Sequence, residues 1–160
     1  MSRDVPIEPK GTLNDYVPFY FTPHSIMLLN INTGYHGVTQ RPNTEIVILV
    51  SSVPKLVASN LQFVFTNGHA YMQESEYFSN PEDLDKIDWK ILKARDFATD
   101  PNDPGKKGRY QAEALAHKHV PTDALLGVAC YNDTLKEQLT EQVNERDLTL
   151  PVKAIPRWYF

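Results

Sequence analysis

Apolar positions occur in short runs broken by Pro, Gly, Asn and Asp, and the period of each run predicts an element. Residues 16–21 (YVPFYF) are aromatic and β-prone, and Pro18 restricts them to an edge strand or a bulge. Thr22-Pro23 has the form of an N-cap followed by proline at the first helical position, which predicts a short helix through residues 25–30. Ile26, Met27, Leu28 and Leu29 leave that helix little polar face, so it is expected to be buried. Residues 45–51 (EIVILVS) form a continuous β-branched run, the pattern of a central strand covered on both faces. A short helix over residues 52–60 follows, then a second strand over residues 61–66 (LQFVFT) ending in the turn Asn67-Gly68.

Ser79-Asn80-Pro81-Glu82 has capping-box spacing and opens a helix toward Asp85 or Ile87, which residues 89–95 (WKILKAR) extend by a turn or two. Residues 101–107 are a loop. Farther on come a strand over residues 125–131, an amphipathic helix over residues 133–145 capped by Asn132 or Asp133, and a strand over residues 149–155. The final Arg157-Trp158-Tyr159-Phe160 is too aromatic for a free tail and is expected to dock, whereas residues 1–14 read as a loop or a segment packed on something else. Five or six strands mixed with short helices, without strict β-α alternation, give an α+β fold class.

Composition adds bounds. A chain of 160 residues with 41% hydrophobic and 11% aromatic content buries a real core and fits a single domain over residues 1–160. No apolar run reaches the roughly 18 residues of a membrane span, and the N-terminus lacks the basic start and apolar centre of a secretory signal, so a cytoplasmic location is expected. Cys130 is the single cysteine, which excludes an intramolecular disulfide and a cysteine zinc cage and leaves it the part of a small hydrophobe. His117 and His119 lack a third ligand, read as surface residues, and no metal is expected. The net charge of −4 argues against a protein that coats nucleic acid through overall charge. From residue 104 to residue 120, however, Lys106, Lys107, Arg109 and Lys118 against Glu113 give +3, leaving −7 elsewhere.

That basic patch adjoins GRYQAEALAH at residues 108–117, which sets the carboxylate of Glu113 among small apolar residues. Extended, residues 110–116 place Gln111, Glu113 and Leu115 on one face. Helical, they place Ala112, Leu115, Ala116 and His119 together and leave Glu113 exposed, and Ala and Leu propensities favour the helix. A histidine after a strand end, His69, is the other candidate; on the residues alone it is equally a histidine hydrogen-bonded in a turn. Tyr20 and Met27 read on their own as core.

Longer blocks carry a resemblance. Gln111-Ala112-Glu113 after a polar loop resembles the Gln-X-Glu motif of the ADP-ribosyltransferase fold. DYVPFYFTPHSIMLLNI at residues 15–31, EIVILVSS at 45–52, FVFTNGHAY at 63–71, DKIDW at 85–89 and RYQAEALAH at 109–117 are, in this order, similar to the DarT family, bacterial toxins that transfer ADP-ribose from NAD to thymidine in single-stranded DNA. The resemblance implies an α+β fold of split mixed sheets with short flanking helices and NAD as co-substrate. It implies single-stranded DNA and a macrodomain antitoxin as partners. Glu113 would stabilise the oxocarbenium ion that forms as ribose leaves nicotinamide, and would help move a proton from the thymine ring nitrogen. His69 would orient or relay beside it; Arg3, Tyr20 and Met27 would contact NAD, Arg3 at the phosphates. The loop over residues 96–108, with Lys106, Lys107, Arg109 and Gln111, would face the DNA, cations on phosphates and aromatics on bases. Family members usually begin some tens of residues earlier with a helical segment bearing a histidine, so the expectation is a domain incomplete at its N-terminus. Two alternatives follow: a remnant that binds single-stranded DNA without chemistry, or a transferase acting on RNA or protein.

Overall fold

The computed structural model describes residues 3–160. Among the described residues seven strands occur in chain order: β1 Tyr16–Tyr20, β2 Ile48–Val50, β3 Phe63–Thr66, β4 Tyr77–Phe78, β5 Glu113–His117, β6 Gly127–Cys130 and β7 Val152–Ala154. The α-helices are α1 Ile26–Thr33, α2 Val53–Ala58, α3 Trp89–Ala94, α4 Lys106–Arg109 and α5 Asp133–Glu145. They fall into two compact units, one of residues 3–25 and 60–120, the other of residues 26–59 and 121–160.

The first unit is built on an antiparallel sheet of order β1-β5-β3-β4. Pro18 has no N–H for a ladder, and β1 accordingly lies at the edge, as its sequence predicts. Register places Tyr20 opposite Glu113, Pro18 opposite Leu115 and Val64 opposite Leu115. Since side chains alternate between faces, Tyr16, Pro18, Tyr20, Val64, Thr66, Glu113 and Leu115 share one face. There Val5, Tyr16, Val64, Ala70 and Leu115 form a buried cluster, with Glu113 at the sheet end beyond it. The opposite face is aromatic: Phe65 stacks on Phe78 at 5.5 Å between ring centres and meets Phe21 edge-on at 6.4 Å, and Phe21 in turn meets Trp89 at 5.4 Å.

GRYQAEALAH divides between its two readings. Tyr110, Gln111 and Ala112 donate backbone N–H groups to Lys106, Gly108 and Arg109, continuing the turn of α4, and the chain becomes extended only at Glu113. Ladders from β1 and β3 on both sides override the helix propensity of Glu-Ala-Leu-Ala. Gln111 therefore lies outside the strand, and its Nε2 donates to the Lys107 carbonyl.

Two expected helices differ from their sequence reading. Asn80, not Ser79, caps the first by accepting from Glu82 N–H, and residues Pro81–Lys86 wind as a 3₁₀ helix. α3 does not continue it but starts anew, because the Asp88 carboxylate caps Ile91 N–H at 3.1 Å.

The second unit carries a three-stranded sheet of order β2-β6-β7, with β2 antiparallel and β7 parallel to β6. The expectation of a central, doubly covered strand at residues 45–51 is corrected. Only Ile48–Val50 join a ladder, β2 pairs with β6 alone, and Val47 and Leu49 are 46% and 53% exposed. The centre belongs to β6, whose small residues Gly127, Val128, Ala129 and Cys130 are all buried. Burial pushes the Cys130 thiol up, as suits a space-filling cysteine. α1 opens at Ile26 rather than at Pro23, because the Thr22 hydroxyl accepts from His24 N–H in a local turn. It buries Ile26 and Leu28 but exposes Met27, so only part of it is covered. α5 has the sequence-predicted bounds and its Asn132 cap, which accepts from Leu135 N–H at 2.9 Å, and it packs on β6 and β7.

The C-terminus docks as expected. Tyr159 is buried, meets Tyr131 edge-on, and shares its hydroxyl proton between the carbonyls of Ile46 and Ala129. Burial pushes its phenol up to about 12. An unfolded tyrosine titrates near about 10, so the folded state holds a proton that the unfolded state has lost. Stability supplied by Tyr159 is then complete below that value and declines as pH rises toward its folded value. Urea unfolding at stepped alkaline pH is expected to show a steeper loss for the wild type than for Tyr159→Phe.

Candidate active site

Glu113 opens β5 at the sheet end where β1 and β3 terminate, and only 6% of it is exposed. Its Oε1 accepts from the backbone N–H of Ala70 at 2.8 Å and lies 3.2 Å from Nδ1 of His69. With the carboxylate ionised, the imidazole Nδ1–H is the donor. Both partners belong to the turn after β3, where the side chain of His69 is 42% exposed. A buried carboxylate is tolerable only when hydrogen-bonded, and this turn supplies the bonds.

The turn is itself held. The Thr66 hydroxyl, fully buried, donates to Gly68 O at 2.6 Å and stands 3.4 Å from the Glu113 N–H. His69 N–H donates to Gly108 O at 2.9 Å, joining the turn to α4. Ser75 Oγ donates to His69 O at 2.8 Å, and Tyr77 Oη donates to Ala70 O at 2.7 Å. Arg3 donates from Nη1 to Ala70 O at 2.8 Å and also to Met72 O, with its guanidinium over the Tyr77 ring. Arg3 thus braces the same turn that grips Glu113. Thr66, Ser75 and Tyr77 escape sequence reasoning because their hydroxyls end on main-chain carbonyls, and Ala70 because it acts through its own N–H; main-chain groups leave no side-chain signature.

A hollow of about 200 Å³ opens beside the carboxylate, lined by Leu13, Pro18, His69, Ala70, Tyr71, Glu113 and Leu115. Tyr20 stands across the ladder from Glu113, and burial first, then the nearby carboxylate, raise its phenol, so it stays neutral. Burial likewise raises Tyr77, with Arg3 opposing. Sequence-predicted Glu113, His69, Arg3 and Tyr20 thus gather on the first unit, while Met27 belongs to α1 of the second and is 46% exposed.

The basic stretch is largely neutralised by its own neighbours. Lys106 Nζ pairs with Asp96 at 2.6 Å; Arg109 pairs with Asp103 at 2.6 Å and with Asp88 at 3.2 Å. Those bonds from Lys106 and Arg109 hold the Asp96 and Asp103 carboxyls below the usual carboxylate range. Lys107 is exposed. Among the described residues no group of three His, Cys, Asp or Glu side chains could hold a metal, and no helix is long and apolar enough to cross a membrane.

Known proteins resemble the chain in sequence and in fold. The sequence pattern of the family described as ssDNA thymidine ADP-ribosyltransferase, DarT, matches residues 1–160. A DNA ADP-ribosyl transferase of Escherichia coli O127:H6 is 50% identical over 156 residues, covering 98% of this chain and 72% of that protein. The structure of Thermus sp. 2.9 DarT in complex with NAD+ superposes with a TM-score of 0.86 at 31% identity, over 98% of this chain and 78% of that one. The same protein in complex with ADP-ribosylated ssDNA matches with a TM-score of 0.86, over 98% and 74%. The family match over residues 1–160, the 50% identical relative and the likeness in fold over almost all of its length together place the chain in the DarT family of DNA ADP-ribosyltransferases.

Proposed function

We propose that this chain transfers ADP-ribose from NAD to thymidine in single-stranded DNA, as the toxin of a pair whose macrodomain antitoxin removes the modification. The observation that carries the reading is a buried carboxylate, Glu113, fixed at one oxygen on the wall of a hollow. In the reaction the bond between ribose C1′ and the nicotinamide nitrogen breaks, and its electron pair leaves with nicotinamide, neutralising the pyridinium. Positive charge collects on the ribose as an oxocarbenium ion. Glu113, already oriented, stabilises that charge more than it stabilises the neutral sugar. The thymine ring nitrogen then bonds to C1′, and its proton passes to the Glu113 carboxylate, with His69 as the orienting partner and relay. The hollow is smaller than the roughly 300–1,000 Å³ of drug-sized sites, so it would take only part of the dinucleotide.

Arg3, Tyr20 and Met27 contact NAD in this reading. In support, Arg3 stands at the turn beside Glu113, Tyr20 presents a neutral phenol across from it, and Met27 is exposed rather than packed. Lys106, Lys107, Arg109 and Gln111 form the DNA side. Lys107 is open to a phosphate, and Lys106 and Arg109 shape the loop through their carboxylate partners. Incubation with label in the ADP-ribose part of NAD tests the proposal. Label is expected on a thymidine-containing single strand, not on one lacking thymidine nor on RNA, and a macrodomain hydrolase should release it. Label on RNA or protein would move the acceptor, and DNA binding without label would leave only a remnant.

A further inference from the structure

We propose that Ser75 is a positioning residue for Glu113, acting through the His69–Ala70 peptide group; this rests on the transferase reading above. A peptide plane carries one carbonyl and one N–H on opposite sides. In this plane the N–H is that of Ala70, which donates to Glu113 Oε1 at 2.8 Å. The carbonyl is that of His69, which accepts from Ser75 Oγ at 2.8 Å and from Met72 N–H at 2.9 Å. Pinning the carbonyl fixes the direction of the N–H and, because chained hydrogen bonds polarise one another, strengthens it as a donor to the carboxylate.

The surrounding turn is shaped to admit this hydroxyl. A Cβ on Gly68 would lie 2.9 Å from Ser75 Oγ and 3.3 Å from Gly108 O, so a side chain there would push the hydroxyl from its place. Ser75 N–H in turn donates to Met72 O at 3.1 Å, tying the residue back into the turn it braces. Ser75 makes no bond to Glu113 and does not itself line the hollow, reaching both only through the His69 carbonyl, so its effect falls on the orientation of the carboxylate and not on substrate affinity.

The test measures kcat and KM for NAD, together with the amide proton shift of Ala70 by NMR, in the wild type, Ser75→Ala and Ser75→Thr. Ser75→Ala is expected to lower kcat about tenfold, the scale of lost outer-shell hydrogen bonds in other sites, with KM within about twofold. The Ala70 amide proton should move upfield. Ser75→Thr, which keeps a hydroxyl, should restore both readouts. An unmoved Ala70 amide, an unchanged kcat, or a Thr variant that behaves like the Ala variant would overturn the proposal. A wild-type chain without transferase activity would end the transferase reading instead, and the Ala70 shift alone would then decide whether Ser75 positions the peptide.

Discussion

Phe65→Ala is expected to destabilise the chain by about 3–5 kcal/mol, the cost of deleting a fully buried aromatic ring whose cavity cannot collapse. Phe65 has no exposed surface. Its ring is stacked on Phe78 and meets Phe21, which is itself held by Trp89, so the aromatic face of the sheet is one interlocked set. Its backbone is fixed from both sides, opposite Ala114 on β5 and Phe78 on β4. The small Ala114 and Ala116 of β5 cannot swell to fill the gap. A loss of this size removes a large part of the roughly 5–15 kcal/mol that holds a domain folded. Urea unfolding followed by circular dichroism measures it, with the midpoint falling and the slope unchanged. A loss below about 1 kcal/mol would show that the aromatic face repacks.

Legibility in the sequence follows how local the determining interaction is. α5 is readable almost to the residue because the Asn132 cap and a 3.6-residue apolar period lie within one segment. β1 is readable as an edge because a single residue, Pro18, decides it. The run at residues 45–51 misleads because apolarity cannot say which strand of a sheet takes the centre; the small residues of β6 do. GRYQAEALAH carries a real helix signal for its first half, and only ladders to residues far along the chain convert its second half to strand.

The site shows the same division. Glu113 is visible as a carboxylate in an apolar run, and His69 as a histidine after a strand end, whereas their 3.2 Å approach spans 44 positions and has no local trace. The charges of Lys106 and Arg109 read as a free basic patch because Asp88, Asp96 and Asp103 are near them only after folding. The bonds from Thr66, Ser75 and Tyr77 are invisible for a different reason: each ends on a backbone carbonyl of the turn, and every residue has one.

Glu113→Gln is expected to keep the fold and lose the reaction. Glutamine has the shape of glutamate, and its amide oxygen can still accept from the Ala70 N–H and face Nδ1 of His69, so the turn and β5 keep their bonds. What disappears is the negative charge. Glu113→Ala is a poorer probe, because it strands the Ala70 N–H and removes buried volume, adding about 1–3 kcal/mol of instability to any catalytic effect. Removing one preorganised hydrogen-bond donor aimed at a transition state costs about 10²–10³ in rate. Here one charge serves both the oxocarbenium ion and the thymine proton, which puts the loss at about 10³ or more. That is a barrier increase of about 4 kcal/mol, all of it in the chemical step. NAD affinity should change far less than the rate, because the positive charge that collects on the ribose is absent from the ground state.

The most direct measurement compares single-turnover ADP-ribosylation of a thymidine-containing oligonucleotide by the wild type and Glu113→Gln, with NAD and DNA affinities taken on the same samples. The account predicts a rate lower by about 10³ with affinities within about threefold. A Glu113→Gln rate within about tenfold of the wild type, at unchanged affinity, would contradict it.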